Sequence, residues 1–135
     1  MKITIVVAEF NSKITERLLE GALSELKSRE VKPIVQKVPG AFELPLAASL
    51  ALKAGADGVV ALGCIIRGET THYDYVCKAA QEGCLRVSLD ESKPVAFGVL
   101  TTEDFEQAFE RAGGRHGNVG ASAAQACLAM LSLKF

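Results

Sequence analysis

Four short runs of β-branched and apolar residues punctuate the chain: Ile3–Ala8, Pro33–Val38, Gly58–Cys64 and Pro94–Leu100. Between them the apolar spacing changes from continuous to helical. Ile14, Leu18, Leu19, Ala22, Leu23 and Leu26 form one stripe with a period near 3.6 residues. Glu43–Ala54 reads as a second helix that stops at Gly55, and Tyr73–Leu89 as a third. Thr101 or Thr102 is expected to cap a fourth helix ending near Gly113, and Asn118–Ser132 makes an alanine-rich fifth. The order is therefore βαβαβαβαα. Near-continuously apolar strands joined by helices imply a parallel sheet covered on both faces. Right-handed crossovers then predict a flavodoxin-like three-layer α/β/α sandwich with a four-stranded parallel sheet, in strand order 2-1-3-4. The small residues of the last helix allow close backbone approach, in the core or at a subunit contact, and spacing does not separate the two.

Composition narrows the class. The 135 residues, without repeat or linker, suit one domain spanning 1–135. They contain 49% hydrophobic and 23% charged residues, a globular balance. A net charge of −1, with both signs spread along the chain, offers no grip on nucleic acid or an anionic membrane. The longest nearly uncharged apolar stretch, Gly58 to Ile66, is too short to span a bilayer. The first strand-like run opens at once, so no signal peptide is expected, and the cytoplasm is the expected compartment. Cys64, Cys77, Cys84 and Cys127 form no Cys-x-x-Cys pair. Cys77 and Cys84 lie about 10.5 Å apart along a helix, too far for a disulfide, and all four read as free thiols. No metal-ligand spacing is recognisable; Asp74 and His116 are the only suggestive partners for His72.

In open α/β sheets ligands sit beyond the carboxyl ends of the strands. Here those ends carry Phe10-Asn11, the run from Pro39 to Glu43, the loop from Ile65 to His72, and Thr101-Thr102. All four sets should share one edge. Gly68 permits close backbone approach, and Thr70, Thr71 and His72 run straight into a helix whose free N–H groups suit a phosphate or carboxylate. The bland alternative is a capping box between Thr71 and Asp74. His72 can move protons near neutral pH. Phe10 can stack on a flat heterocycle or plug the sheet edge. Glu43, beside Phe42, can complement a helix dipole or accept hydrogen bonds from a polyol. Arg111 lies late in the fourth helix. About ten residues of helix would carry it roughly 15 Å from the edge, out of reach of its own subunit's site. It is either a surface arginine or one lent to a neighbour.

The runs PGAFELPLA at 39–47, GCIIRGETTHYDYV at 63–76, FGVLTTEDFEQAFERAG at 97–113 and GN at 117–118 resemble the 6,7-dimethyl-8-ribityllumazine synthase family, in the right order and over nearly the whole chain. The resemblance implies the flavodoxin-like fold. It implies condensation of 5-amino-6-(D-ribitylamino)uracil with 3,4-dihydroxy-2-butanone 4-phosphate, releasing the lumazine, phosphate and water without cofactor or metal. His72 matches the proton-transfer histidine, and Phe10 the aromatic that stacks on the pyrimidine. Ala41, Phe42 and Glu43 match the segment holding the ribityl chain and ring edge, and Ile65 and Ile66 the backbone contacts to the pyrimidine. Gly68, Glu69 and Thr70 match the phosphate loop. Arg111 matches the phosphate-binding arginine and Phe97 a wall residue, both supplied by the adjacent subunit. The implied partners are the two small-molecule substrates and further copies of the chain, as a pentamer or a sixty-subunit shell with active sites between adjacent subunits. Riboflavin synthase is a further implied partner.

Three positions depart from the family pattern. Val119 stands where a lysine is usual, and it can neither donate a hydrogen bond nor carry charge. Glu9 stands where arginine commonly precedes Phe-Asn, and the chain opens on its first strand without the frequent N-terminal extension. Val119 motivates a rival reading, a paralogue that binds lumazine or flavin without turnover. A structural shell protein and a riboflavin synthase of related fold are the others.

Overall fold

The computed structural model describes residues 1–135. Four strands form one parallel sheet: β1 (Ile3–Ala8), β2 (Ile34–Val38), β3 (Gly58–Ile66) and β4 (Val95–Thr102), in the order β2-β1-β3-β4. The helices are α1 (Ser12–Ser28), α2 (Leu44–Lys53), α3 (His72–Glu91), α4 (Phe105–Glu110) and α5 (Val119–Leu131). The expected three-layer sandwich and strand order are therefore present. On one face Ile3, Ile5, Val7, Leu62 and Leu100 pack with Leu18 and Leu26 of α1 and Ala124 and Leu128 of α5. On the other, Val6, Val59, Ala61 and Val99 pack with Leu44 and Leu52 of α2 and Ala80 and Cys84 of α3. Alternation along each strand feeds both layers, as a sheet buried on two faces requires. No helix is long and apolar enough to cross a membrane.

Coverage of the sheet is uneven. β2 is an edge strand, and Ile34, Val35, Gln36 and Lys37 are all exposed, whereas β1 is wholly buried. The near-continuous apolar strands had implied a sheet covered on both faces, and at β2 that cover is missing. The order 2-1-3-4 leaves β2 with one neighbour, so the flanking layers centre on β1 and β3.

Several boundaries differ from expectation. β3 runs on to Ile66 and β4 to Thr102. Thr101 and Thr102 are thus strand residues, and the cap of α4 is Asp104, whose carboxylate accepts from the Gln107 amide at 2.9 Å. A single 3₁₀ turn at Ala41–Glu43 precedes α2, with Pro45 in the helix's first turn. α4 ends at Glu110, well short of Gly113. A small antiparallel hairpin comes next, β5 (Ala112–Gly114) with β6 (Gly117–Asn118). Gly113, at φ 98°, is the left-handed residue inside β5, where the pairing register shifts between Ala112 and Gly114.

Some of the small residues of α5 serve the core, while Ser122, Ala126 and Ala129 stay exposed. Gly120, Ala123, Ala124, Cys127 and Leu128 are buried, and a Cβ on Gly120 would collide with the Leu18 carbonyl of α1. Asn118 caps α5 by accepting from the Ala121 amide at 3.1 Å, and its Nδ2 donates to the Arg17 carbonyl at 3.1 Å. One residue thereby joins the hairpin, α5 and α1.

Candidate functional site

The carboxyl ends of β1 and β3, the turn after β2 and the first turn of α3 enclose a cleft of about 510 Å³. Phe10, Ala41, Phe42, Glu43, Ile65, Ile66 and His72 all line it, so the structure gathers most of the sequence-predicted residues in one place. Asn11, Tyr73 and Val76 complete the walls.

Backbone bonds set the first wall. The Glu9 amide donates to the Val38 carbonyl at 2.8 Å and the Phe10 amide to the Pro39 carbonyl at 3.0 Å, which carries the β1–β2 ladder past the strand ends. Asn11 then turns into the left-handed region, at φ 62°, a conformation asparagine tolerates better than most residues. Its Nδ2 donates to the Cys64 carbonyl at 2.7 Å and locks the β1 exit to β3. The Phe10 ring is left 72% exposed and Phe42 63% exposed. Within the protomer Phe10 does not plug the sheet edge, since a plug would be buried. Two unburied aromatic rings on one cleft form a surface suited to a flat heterocycle.

The second wall is the loop from Arg67 to Thr71 and the start of α3. The capping box expected between Thr71 and Asp74 is absent: no side chain caps α3, and the Asp74 amide donates to the Thr71 backbone carbonyl at 3.0 Å. Thr70 Oγ1 accepts from the His72 amide at 3.3 Å. The backbone amides of Gly68, Glu69, Thr70 and Thr71 donate to no protein acceptor, and all four residues are exposed. Free amides beside a helix N-terminus, with a threonine hydroxyl among them, suit a small oxyanion. Asp74 is drawn instead to Arg67, whose Nη1 lies 3.6 Å from its Oδ1.

Gly68, Glu69 and Thr70 belong to the same loop but do not line the cleft; they extend its rim. Phe97 and Arg111 do not line it either. Phe97 is an edge residue of β4, paired with Ala61 and partly exposed. α4 has six residues, so it carries Arg111 only about 9 Å along its axis rather than the expected 15 Å. The Arg111 Nη1 donates back to the Gln107 carbonyl at 3.0 Å. Arg29, Arg67, Arg86 and Arg115 each pair with a carboxylate and Arg17 lies over the Phe109 ring, whereas Arg111 has neither kind of partner. Its charge is thus available to an anion.

Cys64 is the one cysteine that lines the cleft, and neither it nor the buried Cys84 offers a ready nucleophile. Burial pushes the Cys64 thiol up to about 12 and that of Cys84 to about 11, so neither is a thiolate near neutral pH. Burial, with a neighbouring Cys77, also raises the Tyr73 phenol above its usual value. No three His, Cys, Asp or Glu side chains lie close enough to hold a metal ion.

Sequence reasoning undervalued Tyr73 and Val76, which line the cleft from the start of α3. It noticed Asn11 without assigning it; an asparagine directly before a helix and after a strand was the available signal. Of the three departures from the family pattern, Val119 is half-buried and packs against the α1–α5 core. Its amide donates to the Arg111 carbonyl at 2.9 Å.

Comparison with known proteins bears on this geometry. A family model described as 6,7-dimethyl-8-ribityllumazine synthase matches residues 1–134. A protein of that name from Bdellovibrio bacteriovorus is 53% identical over 134 residues, covering 98% of this chain and 75% of the relative. Another of that name from Cytophaga hutchinsonii is 52% identical over 132 residues, covering 95% of this chain and 83% of the relative.

Proposed function

The chain belongs to the 6,7-dimethyl-8-ribityllumazine synthase family, and from that premise we propose how its cleft carries out that condensation in riboflavin biosynthesis. The enzyme joins 5-amino-6-(D-ribitylamino)uracil to 3,4-dihydroxy-2-butanone 4-phosphate. The observation that carries the reading is the strand-end cleft, where exposed Phe10 and Phe42, Glu43 and His72 face one another beside a loop of free amides.

The pyrimidine lies on Phe10, with its edge along the backbone of Ile65 and Ile66. The ribityl chain runs past Ala41 and Phe42 to Glu43, whose carboxylate accepts from its hydroxyls. The phosphate meets the amides of Gly68, Glu69 and Thr70. The 5-amino group attacks the ketone and loses water to form an imine; a proton and phosphate are then lost, and a second condensation closes the ring. Each step moves a proton, which one placed imidazole, His72, can take and return. Holding two substrates together supplies much of the acceleration.

Arg111 and Phe97, which do not reach their own protomer's cleft, serve the adjacent subunit's cleft in a homo-oligomer, a pentamer or a larger shell. An arginine without a carboxylate partner, set between the end of α4 and the β5–β6 hairpin, supports this placement. Riboflavin synthase, which would take the product, is a candidate companion. Four free thiols favour a reducing compartment, and we place the protein in the cytoplasm.

Turnover tests the reading. The protein mixed with both substrates should form lumazine, followed by absorbance, well above the uncatalysed background, with His72→Ala strongly impaired. Folded, assembled protein that gives no turnover would reject it. The outcome would then favour the ligand-binding paralogue that Val119 motivates.

A further inference from the structure

We propose that Arg67 is a positioning residue for the phosphate end of this site: its side chain closes the loop that carries the free amides and sets the direction in which α3 begins. The proposal deepens the reading given under Proposed function and rests on it for the identity of the anion.

Four contacts converge on this residue. Its amide donates to the Thr102 carbonyl at 2.9 Å, extending the β3–β4 ladder by one step. Its Nε donates to Glu103 Oε2 at 2.6 Å, in the turn after β4. Its Nη1 lies 3.6 Å from Asp74 Oδ1, in the first turn of α3. Its guanidinium carbon sits 4.4 Å from the centre of the Tyr73 ring. One side chain therefore spans the end of β3, the β4–α4 turn and the start of α3. Arg67 and Tyr73 are also the two ends of the loop that holds Gly68, Glu69, Thr70, Thr71 and His72. Within that loop the only internal bonds are those from the His72 amide to Thr70 Oγ1 and from the Asp74 amide to the Thr71 carbonyl. Without the stacked pair its ends would be tied only by the Arg67–Thr102 backbone bond and by Tyr73 packed on the core, and the amides between them would lose their side-chain bracing.

Stability does not explain such a cluster. The side chains of Arg67, Asp74 and Glu103 are 41%, 58% and 60% exposed, and ion pairs so exposed contribute little to folding. A planar fork that binds a carboxylate along one edge while stacking on a ring is specific to arginine; lysine keeps the charge and loses the geometry. Positioning and simple attraction therefore predict opposite results when the partner is changed. Neutralising Glu103 makes the surroundings more positive, which alone would strengthen anion binding, yet it also releases the Arg67 fork.

The experiment measures binding of inorganic phosphate by calorimetry, and steady-state kinetics with both substrates, for wild type, Arg67→Ala, Arg67→Lys and Glu103→Gln. Arg67→Lys and Glu103→Gln preserve size, and carry the test if the alanine variant does not fold. Arg67→Ala should bind phosphate about tenfold more weakly and raise KM for the phosphate-bearing substrate in step, with KM for the pyrimidine held within about twofold. Arg67→Lys should recover only a small part of that loss, and Glu103→Gln should weaken phosphate binding about threefold. Wild-type affinity in Arg67→Lys, unchanged or tighter binding in Glu103→Gln, or an equal rise in both KM values in Arg67→Ala would each overturn the proposal. Turnover by wild type with phosphate affinity unaltered in all variants would sink the clamp and keep the enzyme. Loss of phosphate affinity in the variants of a wild type that does not turn over would do the reverse.

Discussion

The stretches 63–76 and 105–118 each hang from the end of a strand, and each is steadied by an arginine lying over an aromatic ring. In the first, Arg67 covers Tyr73. In the second, Arg17 lies 4.3 Å from the centre of the Phe109 ring and donates through Nε to the Ala112 carbonyl at 2.8 Å. The side chains they steady end differently. His72, Tyr73 and Val76 face a cleft formed within the protomer. Arg111, flanked by the contacts at Phe109 and Ala112 and by the bond from the Val119 amide, pairs with no carboxylate and does not line that cleft. A backbone held this closely is not needed by a surface arginine whose only side-chain bond is to the Gln107 carbonyl. It is what a residue needs if its partner lies on another molecule, because an arginine lent across an interface must be rigid before the interface forms.

The most direct way to break this comparison is complementation. Arg111→Ala and His72→Ala should each lower kcat/KM by about 10²- to 10³-fold. Refolded together in equal amounts, the two inactive variants should recover about a quarter of wild-type activity, since roughly one interface in four then joins an intact His72 to a neighbour's intact Arg111. Mixed oligomers, verified by mass, that stay inactive would put both residues to work on the same chain and erase the distinction between the two stretches.

A second variant tests what holds the 105–118 stretch in place. Gly120→Ala should cost about 3 kcal/mol in urea unfolding, because its methyl would enter the Leu18 carbonyl where α5 crosses α1. The same change would disturb Asn118 and the Val119–Arg111 bond, so activity should fall with stability. An unchanged unfolding midpoint would show that α5 can move away from α1 at no cost and that Arg111 is not held from behind.

The same contrast explains what could be read in the sequence. The 63–76 region was legible because a long apolar strand and the helix after it obey strong rules, and strand ends in such sheets gather ligands. The order of strands came from crossover handedness. The 105–118 region was obscure for physical reasons. Phe105, Ala108, Phe109 and Ala112 keep a helical spacing past the true end of α4, and β5 and β6 are too short to show alternation. Only the glycines at 113, 114 and 117 signalled the hairpin, and glycines near a helix end predict a stop without predicting the element beyond it. The threonine caps failed similarly: Thr101 and Thr102 are good cap residues, but the Asp104 carboxylate stands nearer the true start. Arg67 and Arg17 gave no signal, since stacking on a ring across a loop, as on Tyr73, or across most of the chain, as on Phe109, has no local pattern.

Within the cleft itself, Phe10→Ala should raise KM for the pyrimidine about tenfold and leave KM for the phosphate-bearing substrate within about twofold, measured by varying each substrate at saturating levels of the other. The two ends of the site would then answer to different residues, Phe10 at one and the 68–70 loop with Arg111 at the other. Equal effects on both constants would mean that Phe10 shapes the whole cleft and does not stack on one ligand.

The smallest expected effect lies in the hairpin beside Arg111. The Arg115 side chain donates to Glu110 Oε2 at 2.6 Å and its amide to the same oxygen at 3.1 Å, and these bonds hold the Glu110 carboxyl below the usual carboxylate range. A carboxyl lowered in the folded state contributes stability that is fully present above its unfolded value, about 4.3, and is lost as pH falls through the lower folded value. Wild type should therefore melt slightly above Glu110→Gln at pH 7, and the difference should close as the solution is acidified below about pH 4. Arg115 is exposed and Glu110 partly so, and the gap should also narrow in high salt. A gap that widens on acidification would mean that Glu110 is held in its neutral form. Arg115 would then not be the group that pins the hairpin, and the rigidity around Arg111 would rest on Arg17 and Asn118 alone.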